Sequence, residues 1–299
     1  MLPLQAAFTV HDRLHEEDAA AFKRIAPRIR AICGSGESKV SAELIAKLPA
    51  LEIVSIMGVG YDGVDVAAAK ARGVLVAHTP DVLNDDVADL ALALMLSIAR
   101  RIPQADQHVR QGRWPAGPMP LARKMSGARL GLVGMGRIGQ AIAQRALAFG
   151  MSIAYTARSA KPALPYAFHA TPRELAAVSD FLVVITPGGA ATRKLIDTGV
   201  LRALGSQGYL INVARGSVVD EAALIEALQN SGIAGAALDV FENEPLVPEA
   251  LRALDNVVLA PHIGSATTQT RHAMAARAFA NLEAHFAGQP LPSAVPECR

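Results

Sequence analysis

Cysteine is almost absent from this chain, and aromatic residues are scarce. The 299 residues hold two cysteines, Cys33 and Cys298, too few for a disulfide framework or a cysteine-bound metal cluster; no metal is expected at any site. Aromatics make up 4% of the sequence and offer few platforms for stacking bases. An excess of one charge is also missing: 29 Lys and Arg against 27 Asp and Glu leave a formal net charge of +2. That balance carries no footprint for gripping a polyanion, so nucleic acid is not an expected partner. Long hydrophobic runs are lacking too. The longest stretch free of Asp, Glu, Lys and Arg covers 15 residues, 256–270, and is broken by Pro261 and Gly264. A spanning helix needs about 20 apolar residues, so no membrane association is expected. Residues 1–13 have neither the basic start nor the apolar core of a secretory signal, and a cytoplasmic location follows as the expectation.

What is present is apolar: 51% of residues are hydrophobic and 19% charged, a composition that buries sizeable cores in one large domain or two. Short apolar runs alternate with amphipathic stretches, the pattern of α/β layers around parallel sheets. Strands are predicted at 31–33, 51–56, 74–76, 130–133, 151–155, 181–185, 209–213, 235–240 and 256–259. A helix over 137–149 carries Ile138, Ile142, Ala146 and Phe149 on one face and stops at Gly150. Another, over 220–229, opens on an acidic cap. Two longer helices stand apart, an almost wholly apolar one over 86–102 and the last one over 267–287. Residues 104–127, around Arg113-Trp114-Pro115, lack regular pattern and read from composition as a loop.

The segment Leu130-Gly131-Leu132-Val133-Gly134-Met135-Gly136-Arg137-Ile138-Gly139 is an apolar strand running through Gly-x-Gly-x-x-Gly into a helix. In a dinucleotide site Gly134 permits the tight turn and Gly136 lets the backbone approach a pyrophosphate. Gly139 lets the helix lie close on its strand, with its N-terminal N–H groups aimed at the phosphates. Met135, Arg137 and Ile138 belong to the same cradle. A lone glycine pattern is weak, but the strand before it, the helix after it and the strand at 151–155 supply the required context. An NAD site normally places an acid about 20 residues on. No Asp or Glu occurs between Gly139 and Glu174, and Ala157-Arg158-Ser159 stands at that place, with Lys161 nearby. A guanidinium and a hydroxyl suit a 2′-phosphate, so Arg158 and Ser159 point to NADPH in preference to NADH.

Three further stretches each follow a predicted strand, where open α/β sheets place their ligands. They are Asn212-Val213-Ala214-Arg215-Gly216-Ser217-Val218-Val219-Asp220-Glu221, Asp239-Val240-Phe241-Glu242-Asn243-Glu244-Pro245 and Pro261-His262-Ile263-Gly264-Ser265-Ala266-Thr267. They offer one Arg, one Glu and one His. Reduction of a 2-oxo acid by hydride needs those types: a bidentate cation for carboxylate and carbonyl, a histidine proton for the new alkoxide, and a carboxylate to keep that imidazole protonated. Taken singly, Arg215 could pin a loop, Glu244 could be a surface charge, and His262 could cap a helix.

With these residues in place, the chain resembles the D-isomer-specific 2-hydroxyacid dehydrogenases, in their glyoxylate/hydroxypyruvate and hydroxyphenylpyruvate reductase branch. The resemblance covers about residues 49–267. It rests also on Gly58-Val59-Gly60-Tyr61-Asp62-Gly63-Val64-Asp65, on His78-Thr79-Pro80-Asp81-Val82-Leu83-Asn84-Asp85-Asp86-Val87-Ala88-Asp89 and on Thr186-Pro187-Gly188-Gly189-Ala190-Ala191-Thr192. It implies that Arg215, Glu244 and His262 are the catalytic trio, with His262 as general acid, and that the N–H groups of Val59 and Gly60 bind the substrate carboxylate. Arg215 and His262 also touch the substrate. Asp239 would hold the nicotinamide carboxamide, Gly264 would lie beside the nicotinamide, and Val87, Thr186, Pro187, Val213 and Ala214 would line the cofactor cleft.

The fold implied is α/β, two Rossmann-like or flavodoxin-like domains with parallel sheets and the active site in the cleft between them. Residues 1–97 plus 267–299 would form a discontinuous substrate domain, and 98–266 the dinucleotide domain. The resemblance also turns residues 104–127 from a loop into an arm that clasps a second subunit, so a homodimer is expected. One departure stands out: the family usually opens with a strand, yet Met1-Leu2-Pro3-Leu4 leads towards helix, so the first strand is short or absent and the substrate domain has a bare edge or a truncated start.

The leading function is therefore NADPH-dependent reduction of small 2-oxo acids, glyoxylate, hydroxypyruvate or related, to D-2-hydroxy acids. A catalytically idle, dinucleotide-sensing corepressor or scaffold on the same fold has no sequence feature in its favour. A 3-phosphoglycerate-type dehydrogenase usually pairs with an acidic NAD site, which is missing here.

Overall fold

The computed structural model describes residues 2–298. Ten strands form in chain order: β1 (Ala31–Ser35), β2 (Ile53–Met57), β3 (Leu75–Ala77), β4 (Arg129–Val133), β5 (Ser152–Thr156), β6 (Ala167–Phe168), β7 (Phe181–Val184), β8 (Tyr209–Asn212), β9 (Gly235–Leu238) and β10 (Val257–Leu259). The chain divides into two compact units, one built from residues up to Leu83 together with those from Thr267 onward, the other from Asn84–Ala266.

The first unit holds the parallel sheet β1-β2-β3. β2 is the middle strand and is buried from Ile53 to Ile56. The helix Thr268–Phe286 packs on it, and the Ser55 hydroxyl donates to the Ala278 carbonyl at 3.0 Å. The C-terminal tail closes the β3 edge: Ala77 and Ala294 form an antiparallel bridge, and the Val295 N–H donates to the Val76 carbonyl at 2.9 Å. No strand precedes β1 among the described residues. Helices Leu2–Ala7, Leu14–Glu17 and Ala19–Ile25 come first, Phe8 packs on Phe279 and Phe286, and β1 takes an edge position with Cys33 and Ser35 exposed.

The second unit is a seven-stranded parallel sheet in the order β10-β9-β8-β7-β4-β5-β6. The order reverses at β4, which makes the carboxyl ends of β4 and β7 a topological switch point, the place where such sheets bind ligands. β7 and β9 are buried along their whole length, and β4 and β8 everywhere except their first residue. Helices on both faces of a parallel sheet cause this, and it is why these strands read as unbroken apolar runs.

Two expectations change. The domain boundary falls at Leu83/Asn84 rather than near residue 97, because the helix Asn84–Arg100 packs on the helix Arg137–Leu147 and on β8, β9 and β10. An apolar helix shows no preference in sequence for one neighbour over another. Residues 104–127 also begin inside a helix, Ile102–Arg110. Pro103 lies in its first turn, where the missing N–H has no partner to lose, so a proline that reads as a stop belongs to a start.

Candidate active site

The glycine segment sits at the switch point. Gly134 follows β4 with φ +111°, and a Cβ there would meet the Ile185 carbonyl oxygen at 2.6 Å. A Cβ on Gly139 would lie 2.3 Å from the Gly134 carbonyl oxygen. These two glycines are required by the protein's own packing. Gly136 is different, since a Cβ on it would meet nothing within 4 Å. Packing gives no reason for glycine there, whereas a phosphate laid against the backbone does. Gly136 also caps the 11-residue helix Arg137–Leu147 without a side-chain bond to its first turn, so those N–H groups and the positive end of the helix suit an anion. Met135 is buried and offers only backbone, Arg137 is exposed, and Ile138 is half-buried. The residues present fit a dinucleotide. Past β5, Arg158 and Ser159 stand exposed at its carboxyl end, and the Tyr155 hydroxyl anchors their loop by accepting the Lys161 N–H at 2.7 Å.

Arg215, Glu244 and His262 come together at the carboxyl ends of β8, β9 and β10. His262 Nδ1 lies 2.7 Å from Glu244 Oε2, and the other carboxylate oxygen accepts the Phe241 N–H at 2.8 Å. Burial pushes the Glu244 carboxyl up. The hydrogen bonds from His262 and Phe241, with the charges of His262 and Arg215, outweigh it and hold the group below the usual carboxylate range. His262 has φ +53°, a left-handed conformation that its backbone keeps because its N–H donates to the Asp239 carbonyl at 2.9 Å. The buried Asp239 carboxylate then fixes the next two peptides, accepting from Ile263 N–H at 2.7 Å and Gly264 N–H at 2.9 Å. Burial raises the Asp239 carboxyl above its ordinary value, against the pull of those N–H donors. A Cβ on Gly264 would lie 3.1 Å from Asp239 Oδ2 and 3.4 Å from Val87, so Val87, Asp239 and Gly264 share one corner. Thr186 and Pro187 follow β7, and the buried Val213 and Ala214 follow β8.

Two residues hold this arrangement without having been singled out from sequence. Asn212, 1% exposed, accepts the Ala214 N–H and donates to the Arg215 carbonyl, both at 3.0 Å, and so sets the turn that presents Arg215. Its signal was a polar residue ending an otherwise apolar strand. Gly216 packs on Phe241: a Cβ would lie 1.9 Å from that carbonyl group, so only glycine lets the Arg215 turn seat against the segment carrying Glu244. In the first unit, Val59 and Gly60 lie in the turn after β2, both half-buried.

A glycine turn at a switch point receives a dinucleotide, and an imidazole paired to a carboxylate from the neighbouring strand end is equipped to exchange a proton with a carbonyl oxygen. Those capacities define a nicotinamide-dependent oxidoreductase. The sequence profile of the D-isomer specific 2-hydroxyacid dehydrogenase NAD binding domain matches residues 92–264. The chain is 50% identical over 263 residues to glyoxylate/hydroxypyruvate reductase A of Arabidopsis thaliana, covering 88% of this chain and 84% of that one. It is 50% identical over 266 residues to hydroxyphenylpyruvate reductase of Plectranthus scutellarioides, covering 89% and 85%. Among solved structures, the NADPH-dependent glyoxylate/hydroxypyruvate reductase of Sinorhizobium meliloti in complex with NADP and malonate matches with a TM-score of 0.89 and 49% identity, over 93% of this chain and 86% of that one. The chain belongs to the D-isomer specific 2-hydroxyacid dehydrogenase family and is an enzyme of that family, with two parallel-sheet units of Rossmann type.

Proposed function

We propose that the protein reduces small 2-oxo acids, with glyoxylate and hydroxypyruvate foremost, to D-2-hydroxy acids and prefers NADPH. The observation that carries this reading is the 2.7 Å pair of His262 and Glu244 beside Arg215. When bound, the reduced nicotinamide supplies the hydride. His262 delivers the proton to the carbonyl oxygen as it becomes a hydroxyl, and Glu244 stabilises the charged imidazole before delivery. Arg215 takes the substrate's carboxylate and carbonyl through paired N–H donors. The N–H groups of Val59 and Gly60 take the remaining carboxylate oxygen. Asp239 would hold the nicotinamide carboxamide with the lone pairs that Ile263 and Gly264 leave, Val87, Thr186, Pro187, Val213 and Ala214 would line the cofactor cleft, and Gly264 would lie beside the nicotinamide.

NADPH is favoured because Arg158 and Ser159 stand where an NAD site carries an acid, and no acid lies between Gly139 and Glu174. The S. meliloti relative, named as NADPH-dependent, supports the choice. Residues 104–127 serve as a subunit arm in a homodimer. In this arm Trp114 is 66% and Leu121 101% exposed, apolar surface that a second copy would cover. A cytoplasmic location completes the reading: Cys33 and Cys298 are free thiols, and no helix of the described residues is long and apolar enough to cross a membrane.

Loss of reduced-nicotinamide absorbance with glyoxylate, hydroxypyruvate, 4-hydroxyphenylpyruvate and 2-ketogluconate, each with NADPH and NADH, tests the proposal. Turnover of one or more with NADPH preferred is expected. No oxidation with any 2-oxo acid would leave a catalytically idle sensor as the function.

A further inference from the structure

The turn after β2 is gripped by the segment that follows β3. The His78 ring lies with Nδ1 at 3.0 Å from the Val59 carbonyl oxygen, and the Thr79 N–H donates to the Gly58 carbonyl at 2.8 Å. A carbonyl oxygen only accepts, so the proton sits on Nδ1. The Val59 carbonyl and the Gly60 N–H belong to one trans peptide and point in opposite directions. A donor held on the carbonyl end thus fixes where the N–H end points, and by polarising the peptide it strengthens that N–H as a donor.

His78 is itself held on several sides. Its N–H donates to the Ser293 carbonyl at 3.1 Å, and its own carbonyl accepts from Ser293 Oγ at 2.7 Å and from Asn281 Nδ2 at 3.4 Å. Asn281 and Ser293 are buried and bonded to each other, Nδ2 to Oγ, at 3.0 Å. Tyr61 meets the His78 ring edge-on at 5.2 Å between centroids, and its hydroxyl donates to Glu297 at 3.2 Å. The bonds from Ser293 and Asn281 hold the His78 main chain, and Tyr61 packs against its ring, from which Nδ1–H reaches Val59.

We propose that His78 is a positioning residue for the substrate carboxylate, acting through the Val59–Gly60 peptide, with the last helix and the C-terminal tail fixing its main chain. This rests on the reading that Val59 and Gly60 bind that carboxylate.

The test compares His78→Phe, which keeps an aromatic ring but removes the donor, with His78→Asn, whose amide nitrogen occupies nearly the place of Nδ1. Losing one such bond should raise the KM for glyoxylate about three- to tenfold in H78F, with the KM for NADPH unchanged. H78N should restore most of the loss. Malonate added to the NADP-bound, 15N-glycine-labelled protein should move the Gly60 amide signal in the parent and move it less in H78F. An H78F enzyme with unchanged KM, or an H78N enzyme as impaired as H78F, overturns the role of His78 even if Gly60 responds in the parent. A Gly60 signal that malonate leaves unmoved in the parent overturns the carboxylate reading beneath it, and the inference with it.

Discussion

Replacing Glu244 by Gln keeps the shape of the side chain and removes one charge and one acceptor. Both oxygens of Glu244 are in use, one on the Phe241 N–H and the other on His262 Nδ1. An amide has a single oxygen, so one partner must face its NH2 group. With the oxygen toward His262, the Phe241 N–H meets a donor; with the NH2 toward His262, the amide favours a ring whose Nδ1 is deprotonated. Either way the charged imidazole loses support. A charge-assisted hydrogen bond contributes about 1.5–3 kcal/mol, which at 1.36 kcal/mol per pH unit corresponds to a shift of about 1–2 units. The sign follows from the reaction. In the proposed mechanism reduction uses protonated His262 and fails as pH rises and that proton is lost, so in E244Q it should fail about 1–2 units lower than in the parent. Oxidation of the hydroxy acid uses the neutral ring, and its acid limb should move down by the same amount. The assay is kcat/KM against pH in both directions, followed by nicotinamide absorbance. Profiles that coincide for parent and E244Q would refute the assigned role of Glu244.

His262→Ala should lower kcat by about 10² to 10⁴ while the affinity for NADPH, measured by fluorescence titration, stays near the parent value; a loss confined to cofactor affinity would contradict a proton-transfer role. Arg158→Ala should reduce kcat/KM for NADPH roughly tenfold or more and leave NADH nearly unaffected, because a charge-assisted bond to the 2′-phosphate is lost; equal losses with both cofactors would count against the site. Asp180 accepts the Arg129 backbone N–H at 2.8 Å and both guanidinium groups of Arg129 and Arg123 at 3.0–3.1 Å, and the Arg129 side chain is the main cause that holds its carboxyl below the ordinary range. That depressed value contributes stability at pH above about 4 and loses it as pH falls through the lowered value. Both arginines are partly exposed, so Asp180→Asn should cost about 1 kcal/mol, or roughly 2–4 °C in Tm at neutral pH. The gap should close in acid, and a Tm difference independent of pH would show that charge is not its origin.

Elements whose cause is local were readable in advance. The glycine turn between β4 and its helix, the acidic cap at Asp220 and the stop at Gly150 are set by residues within a few positions of one another. Six of the seven strands of the larger sheet announced themselves as apolar runs, whereas β6, two exposed residues at its edge, did not. The boundary at Leu83/Asn84 was not readable, since the helix Asn84–Arg100 is apolar enough to bury against several neighbours. The helix Ile102–Arg110 was hidden by a proline whose meaning depends on whether the chain turns helical just before it or just after it.

The sequence by itself determined the residues on which the proposed chemistry rests: Arg215, Glu244 and His262, the glycines of the turn after β4, and the missing acid after β5. It also pointed to the strand ends that bear them, because period and turn chemistry are short-range properties of the chain. Only the tertiary structure decided how those residues are held. Nothing within a few positions of His262 puts Glu244 at 2.7 Å, nor closes Asp239 on the peptides that follow it. Nothing near His78 announces that Val59, Asn281 and Ser293 converge on it. Such pairings arise when strands far apart in the chain settle into one sheet and a terminal helix returns to cover another. A hydrogen bond across that distance depends on the packed whole, not on the residues beside it.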